Sequence, residues 1–119
     1  MRIKQEYLKR ALESVKEVGI YNKDKNCVPK EYNGYISSFG ASIRQSGLLA
    51  TILFFENSSS NAMQDRRKVL RAIEYILELP QNSLRNNLNR EKIETAAVAL
   101  KLAIRTYKLE KNCGENNDS

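Results

Sequence analysis

The densest group of charged side chains that could bind a ligand lies in the middle of the chain. Arg66, Arg67, Lys68 and Arg71 stand there against a single acid, Asp65. Guanidinium and ammonium groups bind phosphate oxygens as charge-assisted donors, so this cluster could contact a polyphosphate backbone. The same pattern is also typical of a solvated helix face. Both interpretations stay open, although basic residues in the first turns of a helix oppose its dipole, which favours a role in binding a partner.

Two further arginines complete the candidate set. Arg44 is the one charge in an otherwise apolar stretch before Glu56, where it either extends from a buried helix to the surface or contacts an acidic partner. Arg105 lies in the last predicted helix. The whole chain of 119 residues has a formal charge of +6 and a pI near 9.4. This charge indicates either a polyanionic partner or a basic surface that serves solubility alone.

The sequence has few of the groups that catalysis or metal binding requires. It contains no histidine, the side chain that titrates most readily near neutral pH. It also lacks paired carboxylates in an apolar setting, a phosphate-binding glycine loop and a nucleophile motif. The two cysteines, Cys27 and Cys113, stand in polar segments, and we expect free thiols in a reducing compartment. We therefore predict a protein without catalytic residues, bound metal or cofactor.

Three segments show the three- and four-residue apolar spacing of amphipathic helices. The first covers 3–18 and ends at Gly19, which suits the left-handed conformation that closes a helix. The second follows a predicted cap at Asn61 and runs to about Leu79. The third extends from about 90 to 111. Its side chains Val98, Leu102 and Leu109 lie off the main apolar stripe, so they form either further core or a surface that covers another subunit.

Between the first and second helices lies a segment that is apolar at nearly every position from Leu48 to Phe55. Because a helix without a polar face must be surrounded by other elements, we predict that this segment is the central helix of the domain. Glycines interrupt the region. Gly40 predicts a bend with a new helix after it, and Gly47 predicts a place where a neighbouring helix approaches closely.

These patterns predict an all-α fold, a compact bundle of about five to six helices around the central apolar helix. We expect one helical domain over 1–111 and a disordered polar tail over 112–119. No stretch approaches the roughly 18 apolar residues that a membrane span needs, and the first residues do not form the apolar core of a signal peptide. We therefore expect a cytoplasmic protein that does not contact membranes.

The central region resembles a known family in three short motifs. They are GYISSF at 34–39, IRQSGLL at 43–49, and Leu53 followed by Phe54. Together they are similar to the signature of the small subunit of the type III-B CRISPR effector, the Cmr complex, and the last helix resembles the last helix of that family. The sequence departs from the family at Gly40, where proline is frequent, and at Ser46, where asparagine is frequent.

The resemblance implies an all-helical, non-enzymatic subunit in antiviral defence. Several copies would stack in a filament beside the guide-binding backbone and help to hold the guide RNA–target RNA duplex. Its partners would be the backbone subunit, the large subunit, further copies of itself and the phosphates of the duplex. Among the residues that match the family motif, Arg44 is the candidate contact, and the apolar ones are core. Two alternatives remain, a protein-only helical adaptor and the small subunit of a type III-A effector.

Overall fold

The computed structural model describes residues 5–57, 64–107, 109–110 and 113. Five α-helices account for most of them, which confirms the mostly helical fold class. Their bounds in chain order are α1 Gln5–Glu17, α2 Glu31–Ser46, α3 Leu48–Glu56, α4 Arg67–Ile76 and α5 Arg90–Arg105. A single 3-10 turn, Leu84–Asn86, precedes α5, and two short strands, β1 Val28–Pro29 and β2 Leu109–Glu110, pair in parallel.

The centre of the fold is α5, because α1, α2 and α4 all pack on it. Four alanines on the buried side of α5 keep that side narrow, so the neighbouring helices approach closely. The buried residues of α5 are Ile93, Ala96, Ala97, Ala99, Leu100, Ala103 and Ile104. The prediction that the Leu48–Phe55 segment is central was therefore wrong. Of α3, Thr51, Ile52 and Phe55 are buried and Leu48 is partly buried, whereas Leu49, Leu53 and Phe54 are exposed.

Gly47, and not Gly40, divides the central region into two helices. Gly40 lies inside α2, which continues without interruption to Ser46. The bend predicted at Gly40 is absent because a single glycine weakens a helix by only about 1 kcal/mol, which tertiary packing overrides. Gly47 has φ +92° and ψ 165°, a conformation that residues with a Cβ rarely adopt. A Cβ at Gly47 would meet no atom within 4 Å, so the glycine serves backbone conformation and not close helix packing.

Helix ends also differ from the sequence prediction in specific ways. Helix α1 ends at Glu17, and Gly19 follows with φ +82°, which confirms Gly19 as the helix stop. Helix α4 begins only at Arg67 and ends at Ile76. The predicted cap at Asn61 lies outside the described residues. Helix α5 ends at Arg105, and the chain then forms β2 where the sequence predicted further helix.

The expectation of free thiols was wrong, because Cys27 and Cys113 form a disulfide with a Cα–Cα distance of 6.0 Å. Cys113 falls in the segment that the sequence assigned to a disordered tail, yet its side chain is buried. The bond joins the connector between α1 and α2 to the residues after α5. Distance in sequence conceals this pairing, since the two cysteines are 86 positions apart. Among the helices that the model describes, none is both long and apolar enough to cross a membrane.

Candidate nucleic-acid interface

The basic cluster lies around the first turn of α4 and borders an open concavity of about 400 Å³. The concavity is polar and contains three cations and two carboxylates. Its lining residues are Glu56, Asp65, Arg67, Lys68, Arg71, Gln81 and Asn82. The carboxylates neutralise much of the positive charge that the sequence displays, so the site is only weakly basic in the isolated chain.

Arg67 is the more exposed of the two cluster arginines, Arg67 and Arg71, that form ion pairs. Its side chain is 56% exposed, and its Nε and Nη2 donate to Oδ1 and Oδ2 of Asp65 at 3.0 and 3.1 Å. These hydrogen bonds hold the pKa of Asp65 below its usual value. Oδ1 of Asp65 also accepts the backbone N–H of Arg67 at 3.0 Å. Asp65 thus supplies the carboxylate that the helix dipole favours at the start of α4.

Lys68 points back toward the end of α1. Its Nζ donates a hydrogen bond to the carbonyl oxygen of Gly19 at 3.0 Å. An ammonium group has three donors, and this contact uses one of them. Lys68 can therefore hold α4 against the turn after α1 and still offer hydrogens to a phosphate oxygen.

Arg71 is different, because its guanidinium is largely enclosed. Its side chain is 16% exposed, its Nη2 lies 2.7 Å from Oε1 of Glu56, and its Nε lies 2.8 Å from Oε1 of Glu74. Its Nη1 donates to the side-chain oxygen of Asn82. The Nε–Glu74 contact is an ion pair without the alignment of a hydrogen bond. Arg71 therefore joins α3, α4 and the loop before the 3-10 turn.

Glu74 is the buried acid that pairs with Arg71, and the sequence pattern did not identify it as a site residue. Its side chain is 1% exposed. Its carboxylate accepts the backbone N–H groups of Asn82, Ser83 and Leu84 at 3.2, 3.0 and 3.0 Å. Burial nevertheless raises the pKa of Glu74 above its ordinary value, and the hydrogen bonds and Arg71 only partly offset that effect. The available signal was its position four residues after Leu70, on the apolar face of the helix.

Arg66 lies against aromatic rings instead of entering the concavity. Its guanidinium carbon is 4.8 Å from the ring centroid of Phe54 and 5.9 Å from that of Tyr35. The Nε atom of Arg66 is buried without a hydrogen-bond partner. A guanidinium stacked on an exposed ring gains about 0.5–1 kcal/mol from the cation–π contact. Arg66 therefore fixes the start of α4 against α2 and α3.

Arg44 and Arg105 lie along the antiparallel pair of α2 and α5, where they border none of the concavity around Arg67. Arg44 is exposed and lines a groove of about 120 Å³ between the two helices, together with Gly40, Glu94, Val98 and Lys101 among others. Nε of Arg105 donates to Oδ1 of Asn33 at 3.0 Å. Asn33 and Arg44 are eleven residues apart on α2, a distance of about 16 Å along the helix axis. The structure thus divides the six predicted residues between two regions.

Helices α3 and α5 each leave at least two large apolar side chains in contact with solvent. Leu49, Leu53 and Phe54 of α3 are 47%, 44% and 56% exposed. On α5, Val98 and Leu102 are 42% and 43% exposed, so the interpretation that they are further core was wrong. Leu109, in contrast, is partly buried against the core. Clustered exposed apolar residues on a small protein mark a surface that binds another protein.

No group of three or more histidine, cysteine, aspartate or glutamate residues within the described part of the chain is arranged to hold a metal ion. The arrangement instead offers hydrogen-bond donors and apolar surface. Proteins contact other macromolecules through groups of these two kinds.

Comparison with known proteins places the chain more narrowly. The family model described as CRISPR-associated protein (Cas_Cmr5) matches residues 3–109. The chain belongs to this family, the Cmr5 subunits of type III-B CRISPR complexes. The match supports the resemblance drawn from the central motifs and the choice of type III-B over type III-A. Searches of curated proteins and of solved structures gave no match.

Proposed function

We propose that this chain is a non-catalytic subunit that stacks with further copies of itself beside the guide-binding backbone of a type III-B effector. In this position it helps to hold the guide RNA–target RNA duplex. The observation that carries the proposal is the family match over residues 3–109, since membership implies a place in that effector. The exposed cations and apolar surfaces of the fold suit the two kinds of contact that such a place requires.

Contact with RNA would be made through phosphates, because the accessible groups are cationic donors and not base-reading side chains. Arg67 and Lys68 carry this role best. The guanidinium of Arg67 has five N–H donors. Its Nε and Nη2 donate to Asp65, as the backbone N–H does, so Nη1 is available to a phosphate oxygen. Arg44 and Arg105 would contribute a second set of contacts along α2 and α5. Arg66 and Arg71 would position the start of α4.

Contact with other subunits would be made through the apolar faces of α3 and α5. The two faces are on different helices and carry different side chains, so a contact between them would join unlike surfaces of two copies. Such a heterologous contact extends into an open stack when the rotation between copies does not close a ring. This property suits a subunit that is repeated along a guide–target duplex.

One observation favours a second candidate, the protein-only adaptor. Arg67 and Arg71 already form ion pairs within the chain, Lys68 donates to Gly19, and Arg66 stacks on Phe54. A cluster that is engaged in this way could serve stability alone. In that case the subunit would join its protein partners and contribute nothing to RNA binding.

Affinity purification of the tagged protein from its native cells separates these candidates. Bound RNA would be sequenced after limited RNA–protein crosslinking at short range, and bound proteins would be identified by mass spectrometry. The proposal predicts guide and target RNA crosslinked to this chain, together with large multi-subunit partners. Recovery of the same protein partners with crosslinks only to other subunits would establish the adaptor.

A further inference from the structure

The Cys27–Cys113 disulfide lies beside the pairing of β1 with β2, because Cys27 directly precedes Val28 of β1. Residues 109 and 110 pair with β1 in the register Val28–Leu109 and Pro29–Glu110. This pairing is only two residues long, and Pro29 has no N–H to donate. A two-stranded pair of this length is not stable in water without further support.

Non-covalent contacts add support, and Leu109 also packs against the core. The backbone N–H of Lys30 donates to the carbonyl oxygen of Glu110 at 3.1 Å. The side-chain amide of Asn22 donates to the carbonyl oxygen of Cys113 at 2.6 Å. Two residues before Leu109, the ring centroid of Tyr107 lies 5.0 Å from that of Tyr21. The bond between the two sulfurs adds a covalent attachment to these contacts, and it is the one that a reductant can remove.

We propose that this disulfide is a redox-controlled latch, which holds β2 beside β1 when oxidised and releases it when reduced. The inference does not depend on the proposed function. The two cysteines are the only ones in the sequence, so no other intramolecular pairing competes with this one. The latch also holds the connector between α1 and α2, because Cys27 is one of its two sulfurs and Val28 pairs with Leu109.

Release requires a dithiol as reductant. A thiolate of the dithiol attacks one protein sulfur, which forms a mixed disulfide and releases the other cysteine as a thiolate. The second thiolate of the dithiol then attacks the reductant's own sulfur in the mixed disulfide and releases the remaining cysteine. The Cys27–Cys113 bond breaks, a disulfide forms in the reductant, and two protons reach the two cysteine sulfurs. Oxidised glutathione reverses the process by accepting the two electrons and leaving as two glutathione thiols. Because both cysteines are buried, the reductant gains access only when the structure around them opens locally.

Hydrogen exchange on the full-length protein tests the latch. The oxidised protein, the protein reduced by dithiothreitol and the double variant C27S/C113S would be compared. Reduction is expected to speed exchange of the Lys30 amide by about tenfold or more, because its acceptor on Glu110 departs. Amides in the middle of α5 should keep their protection, which shows that the domain stays folded. The double variant should resemble the reduced protein and ignore the reductant.

Three outcomes would overturn the proposal. Unchanged exchange at Lys30 after alkylation has shown both thiols to be reduced would mean that the bond does not control the segment. Failure of oxidised glutathione to re-form the bond in the folded, reduced protein would mean that the two states do not interconvert. A global loss of protection on reduction, including in α5, would also contradict the latch, because the bond would then support the whole domain.

Discussion

The guanidinium Nη2 of Arg71 lies 2.7 Å from Oε1 of Glu56, which ties the middle of α4 to the last residue of α3. The same guanidinium lies beside the fully buried Glu74. One arginine of the predicted phosphate-binding cluster is therefore a structural residue in the folded chain. This relationship separates two roles within one short run of cations.

Replacement of Arg71 should destabilise the protein far more than replacement of Arg67. R71A leaves Glu74 buried without its cation, so we expect the free energy of unfolding to fall by about 2–3 kcal/mol. R67A removes an exposed ion pair and should change it by less than about 0.5 kcal/mol. Urea denaturation of the two variants measures the difference. Equal, small effects would show that the Arg71 network is not part of the stable core.

Glu74 should make stability depend on pH in a direction opposite to that of an ordinary ion-paired acid. Burial raises its folded pKa above the ordinary value of 4.5. The folded protein therefore binds the Glu74 proton more tightly than the unfolded chain does. The stability that this preference adds is fully present below pH 4.5, and it is lost as the pH rises through the raised folded pKa. Asp65, whose folded pKa is lowered, acts in the opposite direction and at lower pH.

The variant E74Q isolates this effect, because Asp65 and all other groups are common to both proteins. The free energy of unfolding of the wild type, minus that of E74Q, should decrease as the pH rises from 4.5. Chemical denaturation at a series of pH values gives this difference. A difference that increases over the same range would show that Arg71 and the backbone donors outweigh burial.

Alanine at the two glycines of the central region should have opposite effects on stability. G40A replaces a glycine in the interior of α2, where a Cβ meets nothing within 4 Å. It should stabilise the protein by about 0.5–1 kcal/mol. G47A forces a Cβ into a glycine-only conformation and should destabilise it by about 1–3 kcal/mol. Thermal unfolding of both variants checks the signs, and the reverse order would place the helix break at Gly40.

The helices were predictable from the sequence because apolar spacing is a local property. Gly19 closed α1 as expected for the same reason. The placement of α3 was not predictable from its apolar content, since a helix can be apolar on all sides when its partner is another chain. Leu53 and Phe54 look like core in the sequence and lie at the surface of this chain. The apolar pattern therefore did not distinguish the side chains that pack inside the single chain from those that lie at its surface.

The candidate site shows the same limit. The sequence revealed which residues are positive but not which of them already have a partner in the fold. Asp65 could be seen beside Arg67, whereas Glu56 lies fifteen residues before Arg71 and reaches it only through the α3–α4 packing. The Cys27–Cys113 bond was missed for a related reason, because β1 and β2 are two residues long and carry no recognisable strand pattern.

A charge on the exposed face of α3 should weaken assembly without affecting the fold. Leu53 is 44% exposed in the single chain, so L53E should change the free energy of unfolding by less than about 0.5 kcal/mol. In a subunit interface the same glutamate would be buried without a partner, which is strongly unfavourable. Co-purification with the other effector subunits measures the effect. The matched control is Q5E, at an exposed position of α1.

If L53E and Q5E assemble equally well, the α3 face does not contact another subunit. The face would then need a different explanation. Reduced assembly of L53E with unchanged thermal stability would support the stacking contact.

The most direct test of the central claim is the affinity of the reconstituted effector for target RNA when Arg67 and Lys68 are both replaced by alanine. The matched control is K9A/K16A, which removes the same charge from the exposed face of α1. Phosphate contact predicts that R67A/K68A weakens binding to every target sequence tested and lowers the dependence of affinity on salt, while K9A/K16A behaves as the wild type. Assembly of the effector should be unaffected in both. Unchanged affinity and salt dependence in a fully assembled R67A/K68A effector would contradict the claim that this surface holds the guide–target duplex.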